Sequence, residues 1–151
     1  MKPSKDLQKQ YEFFDVTADV GFWAFGRTIN EAYQNASLAM FEVMTDTKKV
    51  NQIINKKITI QSEDKVSLLY DYLEELLFLE ETEFLFFSKF DLMIKKSFKD
   101  DEISYELNGT IWGEHIDWDK HERRSEVKAV TFHLMDVIED DLFKVRVILD
   151  L

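Results

Sequence analysis

The stretch Tyr11–Gly26, YEFFDVTADVGFWAFG, places two carboxylates inside an otherwise apolar segment. Asp15 and Asp19 stand four residues apart among aromatic and aliphatic side chains. Two ionised groups in such surroundings are costly unless they are paired, hydrogen-bonded or bound to a cation. The other end of the sequence, VRVILDL, poses the same question, because Asp150 and Leu151 follow an apolar run. We therefore treat the two stretches as candidates for one site.

Apolar residues occupy nearly every position in the second half of this opening stretch. Val20, Phe22 and Ala24 alternate with glycine and aromatic residues, and Gly26 ends the run. Apolar side chains on both sets of alternate positions are typical of a strand that is covered on both faces. The stretch is predicted to contribute one such strand.

An amphipathic helix follows the strand. Thr28 stands three residues before Glu31, which is the spacing of a capping box. Alanine and methionine residues at helical intervals then predict a helix from about Ile29 to Met44. Its small residues favour close packing on a sheet.

The middle of the chain repeats this order of elements. Val50–Lys57 is predicted to be a polar connection, and Lys57–Gln61 alternates as a half-buried strand does. Ser62 or Asp64 can cap a second helix, whose apolar stripe ends near Glu81.

Four further strands are predicted after the second helix, and a charged turn joins the first two. Two helices among mostly hairpin-connected strands indicate an α+β fold, a single two-layer domain with both helices packed on a mostly antiparallel sheet. The strands are Phe84–Phe98, Ile103–Gly113, Glu126–Val137 and Phe143–Leu149, and the turn is Lys99–Glu102.

The composition is that of a folded, acidic protein. Of the 151 residues, 45% are hydrophobic and 14% are aromatic, which is enough for a substantial core. Nineteen basic against 30 acidic residues give a net charge of −11, so direct nucleic-acid binding is not expected. The absence of cysteine excludes disulfides and thiolate nucleophiles and suits a reducing compartment. No segment approaches the roughly 20 apolar residues of a membrane helix, and we expect a soluble cytoplasmic protein whose residues 1–10 form a disordered leader.

Two charged segments are candidates for interaction with other molecules. The irregular segment Gly113–Ser125, GEHIDWDKHERRS, is the best candidate for a functional loop. Glu74–Glu83 makes the end of the second helix acidic, which opposes the helix dipole. A solvated surface is the simpler interpretation of these glutamates, and a basic partner is the alternative.

The histidines and serines give little support for catalysis. His115 and His121 lie in the charged loop and are expected to be exposed, whereas His133 lies in a predicted strand and is expected to be a hydrogen-bonded structural residue. The sequence contains neither HExxH nor GxSxG, so catalytic zinc and an activated serine are not supported.

The aspartates are the remaining candidates for catalysis or metal binding. Asp15, Asp19 and Asp150 could act as acid and base, or could supply the hard oxygen ligands that calcium and magnesium prefer. Surface capping is the simpler role for any one of them, and only their joint position favours a metal. The alternation along Phe143–Leu149 places Asp150 on the face away from the apolar side chains.

These residues resemble the archease family. The matching blocks occur in the family's order and extend from near Tyr11 to the last residue. They are DVTADVGFWAFGRTINEAYQNASLAMFEVMTD (Asp15–Asp46), DYLEELLFLEETEF (Asp71–Phe84), GEHID (Gly113–Asp117), VKAVTFH (Val127–His133) and VILDL (Val147–Leu151).

The resemblance implies a small protein without catalytic activity of its own that activates an RtcB-type RNA ligase in tRNA splicing. Archeases promote guanylylation of that ligase, allow it to turn over repeatedly and broaden its nucleotide use. The family's metal site, described as calcium, implies three ligands in this chain: Asp19, Asp150, and Leu151 through a main-chain or terminal oxygen. An acidic protein would not compete for the RNA held by a basic ligase but could approach that ligase electrostatically.

This chain departs from the family pattern at two positions. Val16 stands where the family usually has histidine, and Phe132 stands where tyrosine is common. Neither position is an implied ligand. Lys128 and His133 match their block, and a structural role in the sheet is the simpler interpretation of both.

Two other functions remain open at this point. One is a metal-assisted hydrolase that uses Asp15, Asp19 and Asp150 with a loop histidine. The other is a chaperone-like interaction module that uses the acidic helix end Glu74–Glu83.

Overall fold

A computed structural model describes residues 9–151, so the predicted leader, residues 1–10, falls largely outside the described part of the chain. A 3₁₀ turn, Thr47–Lys49, lies between the first helix and the third strand. In chain order the described elements are β1 (Tyr11–Val16), β2 (Asp19–Gly26), α1 (Ile29–Met44), β3 (Ile54–Ser62), α2 (Lys65–Glu83), β4 (Leu85–Lys99), β5 (Glu102–His115), β6 (Ala129–Glu139) and β7 (Phe143–Asp150).

The strands form two antiparallel sheets, with the orders β1-β2-β7-β6 and β3-β5-β4. Helix α1 packs mainly on β2 and β4, and α2 packs mainly on β6 and β3. This architecture confirms the predicted α+β class, with two helices packed on antiparallel strands in one domain. The strands form two sheets instead of one, and each helix contacts both of them.

The opening stretch is a hairpin of two strands, and the prediction of one strand there was wrong. Thr17 and Ala18 form a two-residue turn between β1 and β2, and Val16 pairs with Asp19. Ala18 takes a φ of 64°, a conformation for which glycine or asparagine is the usual choice. The turn therefore lacks the residues that mark such turns in a sequence. The predicted burial on both faces is confirmed for Gly21–Gly26.

Helix α1 has the predicted bounds and cap. The Thr28 hydroxyl oxygen accepts a hydrogen bond from the Glu31 N–H at 3.1 Å. The buried Asn35 side chain donates to the Phe25 carbonyl oxygen at 2.7 Å, which ties the helix to the end of β2. The local cap and this tertiary contact together fix the start of α1 beside the first sheet.

Several other boundaries differ from the prediction. Strand β3 begins at Ile54, inside the predicted polar connection, because its backbone pairs with β5 along its whole length. Asp64 and not Ser62 caps α2, since its carboxylate accepts a first-turn N–H at 2.7 Å. The helix continues to Glu83 and ends at Phe84, which takes left-handed φ and ψ of 56° and 51°.

Large aromatic side chains fill the space between the helices and the sheets. Phe41 stacks on Phe90 with a centroid distance of 6.0 Å and meets Phe87 edge-on at 5.7 Å. The Ser37 and Tyr72 hydroxyl oxygens lie 2.6 Å apart and join the two helices inside this core. Within residues 9–151, no helix is long and apolar enough to cross a membrane.

Candidate metal site

The pairing of β2 with β7 brings together two of the predicted aspartates. Asp19 lies directly opposite Asp150 in this antiparallel pair. Residues directly opposite each other project from the same face, with Cβ atoms about 4.5–5.5 Å apart. Two carboxylates from opposite ends of the sequence therefore share one face of the first sheet.

The charges of this carboxylate pair are not balanced by other side chains. Within the described part of the chain, neither Asp19 nor Asp150 forms a salt bridge. Asp150 is exposed and Asp19 is half-buried. Like charges directly opposite each other destabilise a strand pair. Hard oxygen donors in such an arrangement fit a divalent cation such as calcium.

A cation at this position would need a further ligand from the main chain. Among residues 9–151, no group of three or more His, Cys, Asp or Glu side chains is placed to hold a metal. Leu151 directly follows Asp150, and its side chain packs against the core, which holds its backbone near the pair. The N–H of Lys128, the residue before β6, donates to the Asp150 carbonyl oxygen at 2.8 Å, which also fixes the end of β7.

Two neighbouring positions define the limits of the site. Val16 is opposite Asp19 across the β1–β2 hairpin and therefore projects from the same face. The Val16 side chain thus borders the carboxylate pair, and valine offers no metal ligand. Asp15 is opposite Val20, so it projects from the other face and is exposed there. The structure does not bring Asp15 together with Asp19 and Asp150.

The two loop histidines, His115 and His121, differ in their exposure to solvent. The prediction that His121 is exposed was wrong. His121 is only 3% exposed, and its Nδ1 accepts a hydrogen bond from the Asp117 N–H at 2.9 Å. Its Nε2 therefore donates to the Glu114 carboxylate, also at 2.9 Å. The polar sequence of this loop did not indicate that His121 is buried. The burial arises because the loop after β5 folds back on itself. His115, at the end of β5, is exposed as predicted.

Glu114 anchors the charged loop, a role that the sequence interpretation missed. Besides His121, it accepts hydrogen bonds from the Asn51 N–H at 2.7 Å and from Lys120 Nζ at 2.6 Å. Burial raises the pKa of Glu114, but hydrogen bonds from Lys120, Asn51 and His121 outweigh it and lower the pKa to about 2. The ionised carboxylate of Glu114 thus stabilises the folded protein at pH values above 4.5, its ordinary pKa. This contribution to stability is lost as the pH falls towards 2.

His133 does not have the structural role that its position predicted. It is exposed in a bulged part of β6, where the register shifts between Thr131 and Asp136, and it has no hydrogen-bond partner within residues 9–151. The bulge is held by Arg146, whose Nε donates to the Leu134 carbonyl oxygen at 2.6 Å. The ordered strand begins at Ala129 and not at Glu126.

A cavity of about 480 Å³ lies beside the end of α2 and below the charged loop. Phe84, Phe86 and Trp118 contribute aromatic walls, and Glu80 and Glu126 contribute carboxylates. Burial, followed by the nearby charges of Glu81 and Glu126, raises the pKa of Glu80 to about 7. This carboxyl group is therefore only partly ionised near neutral pH.

Replacing Glu80 with glutamine is expected to stabilise the protein above pH 7. A carboxyl whose folded-state pKa is raised favours folding at low pH, and that contribution is lost as the pH rises through about 7. Discounted for partial exposure, the gain is about 1 kcal/mol, or roughly 2–4 °C in Tm. Thermal denaturation across the pH range checks this, with the exposed Glu102→Gln as the matched control. An equal gain in stability near pH 4.5 would contradict this expectation.

Fold and site together define an acidic α+β domain with an opposed carboxylate pair at the ends of two central strands. The archease protein family (MTH1598/TM1083) matches residues 11–151. The chain belongs to the archease family.

Individual relatives agree with this assignment. Protein archease of Methanothermobacter thermautotrophicus is 57% identical over 144 residues, covering 95% of this chain and 99% of the relative. Protein archease of Sulfurisphaera tokodaii is 45% identical over 129 residues, covering 85% and 88%. The solution structure of Methanobacterium thermoautotrophicum protein 1598 is similar with a TM-score of 0.77 and 54% identity, covering 94% of this chain and 99% of that one.

Proposed function

We propose that this archease is a metal-binding activator of an RtcB-type RNA ligase. It promotes guanylylation and repeated turnover of the ligase in tRNA splicing, and it acts in the cytoplasm. The single observation that best supports this role is the opposed pair Asp19 and Asp150, which has no salt bridge within residues 9–151, in a chain of this family. Asp19, Asp150 and a main-chain or terminal oxygen of Leu151 are the proposed ligands, and calcium is the proposed cation.

The residues of the site support a binding role and not catalysis by this chain. Asp15 projects from the opposite face, and His121 is engaged with Glu114 in another part of the molecule. A bound cation supplies a localised positive charge. Strands β2 and β7 hold its two carboxylate ligands on hydrogen-bonded backbone, which orients them before any partner arrives.

The overall charge supports a protein partner in preference to RNA. A net charge of −11 repels the phosphate backbone, and we propose that this chain binds no nucleic acid directly. The same charge attracts a protein whose surface is basic because it holds RNA.

Ligase guanylylation provides the direct test. Adding this protein to its cognate ligase with GTP and divalent metal is expected to raise the initial rate of ligase-GMP formation and the number of ligation turnovers. The rise should saturate with the concentration of this protein. Unchanged rate and turnover at saturating protein would contradict the proposal.

A further inference from the structure

The first strand forms an open edge of the first sheet. In the order β1-β2-β7-β6, β1 pairs with β2 alone within the described residues, so its other side carries unpaired backbone groups. An unpaired edge is a template for another strand. We propose that the β1 edges of two copies of this chain pair antiparallel across a two-fold axis at Phe13, which joins two four-stranded sheets into one continuous sheet.

The hairpin register identifies which backbone groups of β1 face outwards. The Phe25 N–H donates to the Gln10 carbonyl oxygen at 2.9 Å, so these two residues form a hydrogen-bonded pair that continues the β1–β2 ladder. Hydrogen-bonded and non-hydrogen-bonded pairs alternate along antiparallel strands. Every second residue from Gln10 therefore bonds to β2, whereas the backbone groups of Tyr11, Phe13 and Asp15 face away from it.

The edge of β4, in the second sheet, is closed by helix α1. The Leu92 N–H donates to Gln34 Oε1 at 3.0 Å, and the Ile94 N–H donates to Asn30 Oδ1 at 2.8 Å. These two side-chain amides take the place of the carbonyl groups that a further strand would supply. The edge of β4 is therefore not available at these residues.

The other two edge strands carry different protections. Strand β3 has adjacent lysines, Lys56 and Lys57, and lysine on an edge strand is a common protection against pairing. Strand β6 is bulged between Thr131 and Asp136, where Leu134 takes a φ of 55°. By contrast, β1 contains no lysine, arginine, glycine or proline, and it pairs with β2 without a register shift.

The exposed edge of β1 is held in place by contacts on its inner side. The Tyr11 hydroxyl donates to the Glu42 carboxylate of α1 at 3.0 Å. The Phe13 ring meets the rings of Tyr11 and Phe22 edge-on, with centroid distances of 5.4 and 6.1 Å. Phe13 nevertheless remains 41% exposed. An oriented aromatic side chain thus stands at the middle of the open edge.

The sequence of β1 is self-complementary about Phe13. In the proposed register Phe13 lies opposite Phe13 of the second copy, Tyr11 lies opposite Asp15, and Glu12 lies opposite Phe14. No like charges oppose each other, and cross-strand aromatic pairs stabilise a sheet. All the outward-facing residues, Tyr11, Phe13 and Asp15, enter hydrogen-bonded pairs.

Registers shifted by one residue are less favourable. A two-fold axis at Glu12 would place two glutamates directly opposite each other, which destabilises a strand pair. An axis at Phe14 would place Tyr11 opposite Thr17, which lies in the hairpin turn, so the hydrogen bonds of Tyr11 would be lost.

Cross-linking through a single introduced cysteine tests this register directly, because the chain contains no cysteine. The two copies of position 13 would have Cα atoms about 5.5 Å apart, which is within the disulfide range of about 4.4–6.8 Å. Asp15→Cys is the matched control on the same edge, because its two copies would lie about 14 Å apart along the strands. Under mild oxidation, Phe13→Cys is expected to form a disulfide-linked dimer at least about ten times faster than Asp15→Cys.

Sedimentation equilibrium measures association without a cross-link. Small interfaces associate weakly, so the average mass of the wild type is expected to rise from monomer towards dimer between about 10 µM and 1 mM. Phe13→Pro removes an outward N–H and leaves the hydrogen bonds to β2 intact, so this variant is expected to stay monomeric. Circular dichroism verifies that each variant is folded.

Three results would overturn the proposed dimer. A wild type that stays monomeric at about 1 mM shows that the edges do not associate at concentrations where weak interfaces form. Equal cross-linking rates for Phe13→Cys and Asp15→Cys show that Phe13 does not lie at the axis. A folded Phe13→Pro variant that dimerises like the wild type shows that the two copies meet through another surface.

Discussion

Asp150→Asn is expected to abolish stabilisation by calcium and to abolish activation of the ligase without unfolding the protein. In the absence of a cation the variant should be slightly more stable than the wild type, because it removes repulsion from Asp19, worth about 0.2–1 kcal/mol. A cation at about a hundred times its Kd stabilises the wild type by about 2.7 kcal/mol, which corresponds to roughly 5–10 °C in Tm.

Thermal denaturation with calcium and with a chelator measures both effects, and ligase-GMP formation measures the functional one. Asp15→Asn is the matched control, since it removes the same charge from the opposite face of the neighbouring strand. It should retain the calcium shift and the activation. A calcium shift that survives in Asp150→Asn, or that is lost in Asp15→Asn, would show that the cation binds elsewhere.

Gly113→Ala is expected to lower the free energy of unfolding by about 2–3 kcal/mol and Tm by roughly 5–10 °C. A Cβ at Gly113 would overlap the Phe86 carbonyl oxygen, so the backbone of β4 would have to move. The two strands are already irregular here, with a register shift between Phe87 and Lys89. Relief of the overlap would also displace Glu114, the next residue, from the contacts that anchor the charged loop.

Gly21→Ala is the natural comparison for this variant. The three atoms nearest to a Cβ at Gly21 would all belong to the Phe14 side chain, which can move more easily than backbone, so a smaller loss is expected. Chemical denaturation measures both losses. Equal losses for the two variants would contradict the role given to the β4 backbone.

Local signals in the sequence predicted part of the fold well. Helix α1 has the predicted bounds because Thr28 caps it and small residues fit it to the sheet. The β1–β2 hairpin is not predicted, because Thr17 and Ala18 carry no turn signature although Ala18 takes a positive φ. The division into two sheets depends on non-local pairing, which no local pattern encodes.

The candidate site, like the fold, could be predicted only in part from the sequence. Asp19 and Asp150 were selected by residue type and resemblance, but their direct opposition depends on the β2–β7 register. The separation of Asp15 depends on the hairpin turn that the sequence did not reveal. Glu114 and His121 looked like a solvated loop because composition does not show which polar residues satisfy one another in the interior.

The two carboxylates of the pair come from β2 and β7, which are far apart in the sequence. This separation has a consequence during protein synthesis. While the ribosome is still producing the later strands, β2 has only β1 beside it, and Asp19 has no counterpart. Such long-range strand pairings form late, after the local hairpins. Nascent and truncated chains therefore lack the opposed pair of Asp19 and Asp150, and under the proposed function they are not expected to stimulate the ligase.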